Sequence, residues 1–111
     1  MGIYIPTISS LHSKEATTCT GTTAKELFAT VGKLQSRAAV QIHNADASIS
    51  IWVLCQNRGT AAPTMSITNK TYVIPAGSTL DIAVGSSVDV YVQNASGAAT
   101  TTAYVAHEVL S

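Results

Sequence analysis

Apolar residues occupy every second position in two stretches of this chain, residues 80–84 and residues 88–92. Successive side chains of a β-strand point to opposite faces, so a period of two predicts two strands that each have one apolar face. Pro75, Ala76 and Gly77 precede the first stretch and predict a tight turn, because proline presets φ and glycine accepts a positive φ. We expect the flanking chain to supply the sheet that covers these apolar faces.

The same alternation recurs at residues 38–43 and 49–55, separated by a turn at residues 44–47. Asparagine and aspartate favour such turns, so we expect these two strands to form an antiparallel hairpin. A second hairpin turn is predicted at residues 94–97, followed by a last strand over residues 99–109. The side of that strand that we expect to face the core consists of Ala103, Val105, His107 and Val109.

The remaining segments are less regular. Residues 16–23 are rich in threonine, which favours a strand. Thr23 and Glu26 have the spacing of a helix capping box, so a single helical turn is expected there, ended by Gly32. We interpret residues 56–63 as a mobile loop and expect a short strand at residues 64–68 that carries Met65 and Ile67.

About eight short strands and no long helix predict an all-β chain, namely a single antiparallel β-sandwich or jelly roll. We assign the sandwich to residues 16–111 and an extended N-terminal arm to residues 1–15. The arm has apolar side chains without lasting periodicity, which we expect to lie on a sister subunit or a partner; an ordinary frayed terminus is the alternative. These arm residues are Ile3, Tyr4, Ile5, Ile8 and Leu11.

The composition favours association with other proteins. Of the 111 residues, 46% are hydrophobic and only 11% are charged, against roughly a quarter charged in an average domain. A net charge of +0 argues against binding to nucleic acid, which requires a basic surface. We expect no membrane span, because no apolar run approaches about 18 residues, and no secretion, because the first residues do not resemble a signal peptide.

No residue pattern indicates catalysis, a metal or a cofactor. The three histidines (His12, His43 and His107) lack the spacing of zinc ligands, and no nucleophile elbow or phosphate loop is present. We expect Cys19 and Cys55 to be free thiols. An enzyme would require scattered groups to converge, for example His43, His107 and Glu108 around one cleft.

Three large side chains fall out of phase with the predicted core positions, namely Trp52, Leu54 and Tyr91. We expect them to point outward from the sandwich. Either the arm or a loop of the same chain covers them, or they form contacts with a subunit or partner, where aromatic residues are enriched. A carbohydrate platform would also use such aromatics, with Ser50 and Asp89 as its polar neighbours.

Three segments, RAAVQIHNADASISIWV, IPAGSTLDI and SSVDVYVQNASGAATTTAYVAHE, resemble small structural proteins of tailed bacteriophage virions. The resemblance covers roughly residues 16–109, in the order of a strand ending in Ile-x-Asn, an Ile-Trp-Val strand, a Pro-x-Gly corner and a Val-x-Val-Tyr strand. Its motifs mostly reflect turn and strand chemistry. The loop at residues 56–63 departs from the shorter, glycine-rich connection typical of such chains.

The resemblance implies a non-enzymatic β-sandwich on the phage particle. The expected role is a capsid decoration (cement) protein that binds the major capsid protein and itself, as a homotrimer, on the virion surface after synthesis in the host cytoplasm. The candidate contacts are then the arm residues together with Trp52, Leu54 and Tyr91. The alternative is a head-fibre or tail-fibre module that recognises glycans of the host surface.

Overall fold

The computed structural model of the protein describes residues 11–29, 35–66 and 69–110. These ranges form eight strands and contain no helix, so no described helix is long and apolar enough to cross a membrane. The strands are β1 (Leu11–Thr20), β2 (Lys25–Glu26), β3 (Arg37–Asn44), β4 (Ile51–Asn57), β5 (Tyr72–Ile74), β6 (Thr79–Ile82), β7 (Val88–Asn94) and β8 (Thr101–Leu110).

The strands form two four-stranded antiparallel sheets. Sheet 1 has the order β1-β8-β3-β6, and sheet 2 has the order β2-β7-β4-β5. Neighbours in sheet 1 are linked by the β1–β8, β8–β3 and β3–β6 ladders, and neighbours in sheet 2 by the β2–β7, β7–β4 and β4–β5 ladders. The predicted all-β class and two-sheet sandwich are therefore confirmed.

Alternate residues of the two sheets meet in one apolar core, as the period of two predicts. Val40 and Ile42 of β3 are fully buried, while Leu80 of β6 packs partly buried against the same cluster. The other large members of the core are Leu27, Phe28, Ile51, Val53, Ile74, Ile82, Val90, Val92 and Tyr104. Burial of these side chains is the main force that holds the two sheets together.

The predicted helical turn after Thr23 is wrong. Lys25 pairs with Val92 of β7, and Glu26 pairs with Tyr91, so the segment is a two-residue edge strand. The two apolar residues that follow, Leu27 and Phe28, turn into the core. Tertiary pairing and burial therefore override a capping pattern that is only four residues long.

Both predicted hairpins are also wrong. Strands β3 and β4 lie in different sheets, as do β7 and β8, so the turns between them cross from one sheet to the other. Buried asparagines hold these crossings: the Asn44 amide donates to the carbonyls of Ile49 and Ile74, and the Asn94 amide donates to the carbonyls of Cys19 and Thr100. An alternating pattern predicts a strand but not its partner.

The inward side of β8 is opposite to the predicted one. Tyr104, Ala106 and Glu108 are buried, whereas the residues expected in the core, Ala103, Val105, His107 and Val109, lie on the outer face of sheet 1. The inversion arises because Glu108 is fully buried beside Arg37, with Nη1 to Oε2 at 3.4 Å. A charged residue therefore occupies a core position that sequence patterning assigns to apolar residues.

Strand β1 begins within the range predicted to be an arm. Leu11 pairs with Val109 and Glu15 with Ala106, with a bulge between His12 and Glu15. Residues 11–15 therefore form part of sheet 1, so any arm is restricted to residues 1–10. The arm residues Ile3, Tyr4, Ile5 and Ile8 lie outside the described residues.

Candidate functional site

The outer face of sheet 2 contains the three side chains singled out in the sequence. Cross-strand partners point to the same face of a sheet, and Trp52 of β4 lies opposite Val73 of β5, while Leu54 lies opposite Tyr91 of β7. The neighbouring positions on either side of Trp52 and Leu54 belong to the core. The prediction that Trp52, Leu54 and Tyr91 lie on the side away from the core is therefore confirmed.

Tyr91 nevertheless differs from Trp52 and Leu54, because the rest of the chain covers it. Only 5% of its surface is exposed, and its hydroxyl donates to Glu26 Oε1 at 3.5 Å. Burial, reinforced by the carboxylates of Glu26 and Asp89, raises the pKa of Tyr91. The alternative of cover within the chain therefore holds at Tyr91, while its contact with a partner stays a prediction.

The loop after β4 is bonded to other residues of the same face. The Gln56 side-chain amide donates to the carbonyls of Thr60 and Ala61, and the Gly59 amide donates to Asp89 Oδ2 at 3.4 Å. Gln56 and Asp89 are cross-strand partners on the outer face, so the loop predicted to be mobile is attached to that face. Residues 64–66 form no strand, although Met65 is buried.

Trp52 and Leu54 are half-buried, and together with the exposed Val73 they form a patch that we name the outer patch. Lys70 Nζ lies 5.8 Å from the centre of the Trp52 ring, a geometry in which the ammonium is attracted to the ring face. The outer patch is therefore apolar, with one cation placed over its largest aromatic side chain.

Sequence patterning missed Tyr72 and Val73, the exposed large hydrophobic residues of the described ranges, at 42% and 41% exposed. They are adjacent, so alternation would leave only one of them outside. Both are exposed because β5 is a three-residue edge strand with β4 as its single neighbour. The short strand between a polar segment and Pro75 was the signal that could have indicated an edge.

A cleft of about 410 Å³ lies at the opposite side of the sandwich, between β1 and the segment around β2. Its wall includes the carboxylates of Glu15 and Glu26 and the ammonium of Lys25, which donates to Thr17 Oγ1 and the Thr18 carbonyl. The complete lining consists of Glu15, Thr18, Cys19, Thr20, Thr23, Ala24, Lys25, Glu26 and Ala29.

The two cysteines are free thiols, as predicted. Cys19 borders the cleft, and burial raises the pKa of its thiol to about 11. Because the thiolate is the reactive form, this environment makes Cys19 a weak nucleophile near neutral pH.

The histidines do not build a catalytic or metal site with the acids named above. His43 and His107 lie on neighbouring strands and on the outer face of sheet 1, whereas Glu108 points into the core. Among the described residues, no group of three histidine, cysteine, aspartate or glutamate side chains is placed to hold a metal ion. His43, His107 and Glu108 therefore do not meet around one cleft.

Comparison with protein-family models, with curated proteins and with solved structures finds no match to the chain.

Proposed function

We propose that this chain is a non-enzymatic decoration protein of a tailed-bacteriophage particle, which attaches to the outer capsid surface as an oligomer and stabilises the head by non-covalent contacts. The outer patch carries this proposal. Trp52, Leu54 and Val73 present apolar surface on a sandwich that is already closed by its own core. Aromatic and aliphatic side chains grouped in this way are typical of the centre of a protein interface.

The strand pairing supports a jelly roll as the specific form of the sandwich. The ladders join β1 with β8, β2 with β7, β3 with β6 and β4 with β5. This is the pairing of a chain folded once at its middle into a long antiparallel ribbon and then rolled into two sheets. Jelly rolls occur in viral capsid proteins, lectins and cupins, so the fold alone does not decide the function.

The mechanism requires binding alone. A protein that contacts two neighbouring capsid subunits at once binds only the assembled shell, and therefore stabilises the shell relative to its dissociated subunits by mass action. The low fraction of charged residues, 11%, agrees with a surface that is in contact with other protein molecules.

Glycan binding by a fibre module is the alternative, and the Trp52 environment argues against it. A sugar would stack on the indole face, but Lys70 Nζ lies over that ring and would have to move. A protein partner can instead pack against the edge of the ring and keep the contact between Lys70 and Trp52.

The proposal is tested by co-sedimentation of the protein with capsids that lack decoration protein, and by the thermal stability of those capsids. We expect Trp52→Ala and Val73→Ser to weaken capsid binding at least tenfold, whereas Val105→Ser on the outer face of sheet 1 leaves it unchanged. Equal binding by Trp52→Ala and the wild type would contradict the proposal. A glycan titration is run in parallel. If Trp52→Ala loses glycan binding but binds capsids like the wild type, the fibre module is favoured.

The arm remains a prediction and needs its own variant. Removal of residues 1–15 would delete half of β1, because that strand begins at Leu11. The suitable truncation therefore removes residues 1–10 only. We expect weaker capsid binding from this variant; unchanged binding would show that the arm has no role in attachment.

A further inference from the structure

Strand β5 exposes large apolar side chains on both of its faces. Tyr72 lies opposite the core residue Val53 and therefore on the inner side of sheet 2, whereas Val73 lies opposite Trp52 on the outer face. They are 42% and 41% exposed, because β4 is the single neighbour of β5 in its sheet. A partner that rests on one face of sheet 2 would cover only one of the two, whereas a strand added beside β5 would cover both.

The other free edges of the two sheets carry charged side chains. Strand β2 consists of Lys25 and Glu26, and β6 includes Asp81. Strand β1 includes Glu15 and is interrupted by a bulge. Charges and bulges discourage the pairing of an edge with another strand. Strand β5 (Tyr72–Ile74) has no charged residue, so it is the edge of this chain best suited to such pairing.

A second copy of β5 matches this edge when the two strands run antiparallel about a two-fold axis at Val73. Opposite residues of paired strands face the same side of a sheet. Val73 then meets Val73 of the second copy on the outer face, and Tyr72 meets Ile74 of the second copy on the inner side. Every cross-strand pair is apolar, and the backbone groups that face away from β4 can bond to each other.

The residues that flank β5 are compatible with this pairing and limit it. Lys70 precedes the strand by two residues, so antiparallel strands place the lysines of the two copies at opposite ends. Pro75 follows the strand directly and has no N–H to donate, which ends the pairing there. A contact about a two-fold axis joins the same surface of both copies, so it closes as a dimer.

We propose that two copies of this chain pair edge to edge through β5, antiparallel, with Val73 of one copy opposite Val73 of the other. Sheet 2 of each copy then continues into that of the other, and Trp52 and Val73 of both copies form one row across the outer face. The dimer rests on the proposed function in that it specifies the oligomer assumed there and joins two outer patches into one surface. Its two-fold symmetry differs from the homotrimer that the resemblance implies.

A cysteine at the centre of the pair tests the register. Opposite Cα atoms of antiparallel strands are about 4.5–5.5 Å apart, within the range of about 4.4–6.8 Å that a disulfide spans. Under mild oxidation we expect Val73→Cys to form a disulfide-linked dimer at least about tenfold faster than the exposed control Ala99→Cys. Non-reducing electrophoresis measures the rate, and the wild type, whose own thiols are Cys19 and Cys55, gives the background.

Charge at the same position provides a second test. Val73→Lys and Val73→Glu each place two like charges directly opposite one another, which destabilises a strand pair. Sedimentation velocity over a concentration series should show each variant associating at least about tenfold more weakly than the wild type, equivalent to about 1.4 kcal/mol. An equimolar mixture of the two variants should recover a 1:1 dimer, because lysine then faces glutamate.

The matched control for these charges is Ala103→Lys, at an exposed strand position on the outer face of sheet 1. It should associate like the wild type. Thermal unfolding of each variant shows whether it keeps its fold.

A wild type that stays monomeric would overturn the proposal, as would a mixture of Val73→Lys and Val73→Glu that does not pair. A disulfide that forms no faster in Val73→Cys than in Ala99→Cys would also overturn it and would leave the β5 edge to another strand, such as a capsid segment. The result is separable from the proposed function. Dimers that fail to bind capsids would contradict decoration alone, whereas monomers that bind capsids would contradict this pairing alone.

Discussion

The two ends of the sandwich are closed by different chemistry. At one end, the neutral amides of Asn44 and Asn94 bridge the sheets and are fully buried. At the other end, Arg37 donates to the carbonyls of Val84, Gly85 and Val88 and is paired with Glu108. Both ends satisfy buried backbone groups, as any connection between sheets must, but only one of them does so with a buried charge.

The backbone groups that each end presents explain the difference. Near the asparagines both donors and acceptors need partners: Asn44 Oδ1 accepts from the Asp46 amide while its Nδ2 donates to two carbonyls. An asparagine amide has both kinds of group. The segment of residues 84–88 presents three carbonyls to Arg37, so it requires donors only. A guanidinium offers five donors and no acceptor, and its charge then requires the Glu108 carboxylate.

Loss of the counter-charge should have the largest effect on stability. Glu108→Gln preserves the shape of the side chain but leaves the buried Arg37 without its anionic partner. Removing one member of a buried ion pair costs about 3–5 kcal/mol, and we expect a decrease of that order in the free energy of unfolding. Guanidinium denaturation of the variant and the wild type measures it. A change comparable to that of an exposed substitution such as Asp81→Asn would show that the end does not depend on the ion pair.

Removal of one amide should have the next largest effect. Asn94→Ala takes the donor away from the Thr100 and Cys19 carbonyls and the acceptor away from the Ser96 amide and hydroxyl. Each buried group that loses its partner costs about 1–3 kcal/mol. Denaturant unfolding should therefore show a clear loss for Asn94→Ala. The exposed Asn57 provides the matched control, and equal effects of Asn57→Ala and Asn94→Ala would refute the bridging role.

The space around one glycine at each end shows how tightly that end is packed. A Cβ at Gly21 would lie 2.5 Å from Asn94 Oδ1 and 2.7 Å from the Ala98 nitrogen, whereas a Cβ at Gly85 would meet only the Arg37 carbonyl oxygen, at 3.5 Å. We expect Gly21→Ala to destabilise the fold by about 1–3 kcal/mol, as overpacking does. Gly85→Ala should be nearly neutral, because its contact is an ordinary van der Waals distance. Melting temperatures that rank the two variants in the reverse order would contradict this difference in packing.

Local alternation in the sequence predicts the strands but not their partners. Residues 38–43, 51–55 and 88–92 lie in strands. The apolar residues buried on their inner sides are Val40, Ile42, Ile51, Val53, Val90 and Val92. The pairing of β3 with β8 rather than β4 depends on contacts between residues such as Gln41 and His107, far apart in the chain. The inverted side of β8 has the same origin, because Glu108 is acceptable in the core only with Arg37, which lies 71 residues away.

For the candidate surfaces too, local alternation predicts the face of a strand but not the contacts made by distant segments. The outward side of Trp52 and Leu54 follows from the period of two alone. The burial of Tyr91 does not follow from that period, because it depends on the pairing of β2 with β7, which places Glu26 beside Tyr91. Tyr72 was not predicted for the same reason, since its exposure results from the position of β5 at the end of sheet 2.

The smallest expected effect is a pH dependence at the asparagine end. The amides of Ser48 and Ile49 donate to Asp46 Oδ2 at 2.9 and 2.7 Å, and these bonds hold the pKa of Asp46 below its usual 3.8. Below that usual value the unfolded chain therefore binds more protons than the folded one, so the stabilisation is present above pH 3.8 and disappears as the pH falls through the folded-state pKa. Asp46→Asn keeps an acceptor oxygen but does not titrate. Urea unfolding at a series of pH values should show the wild type losing more stability in acid than Asp46→Asn does, and parallel losses would mean that the turn at Asp46 contributes no pH dependence to this end.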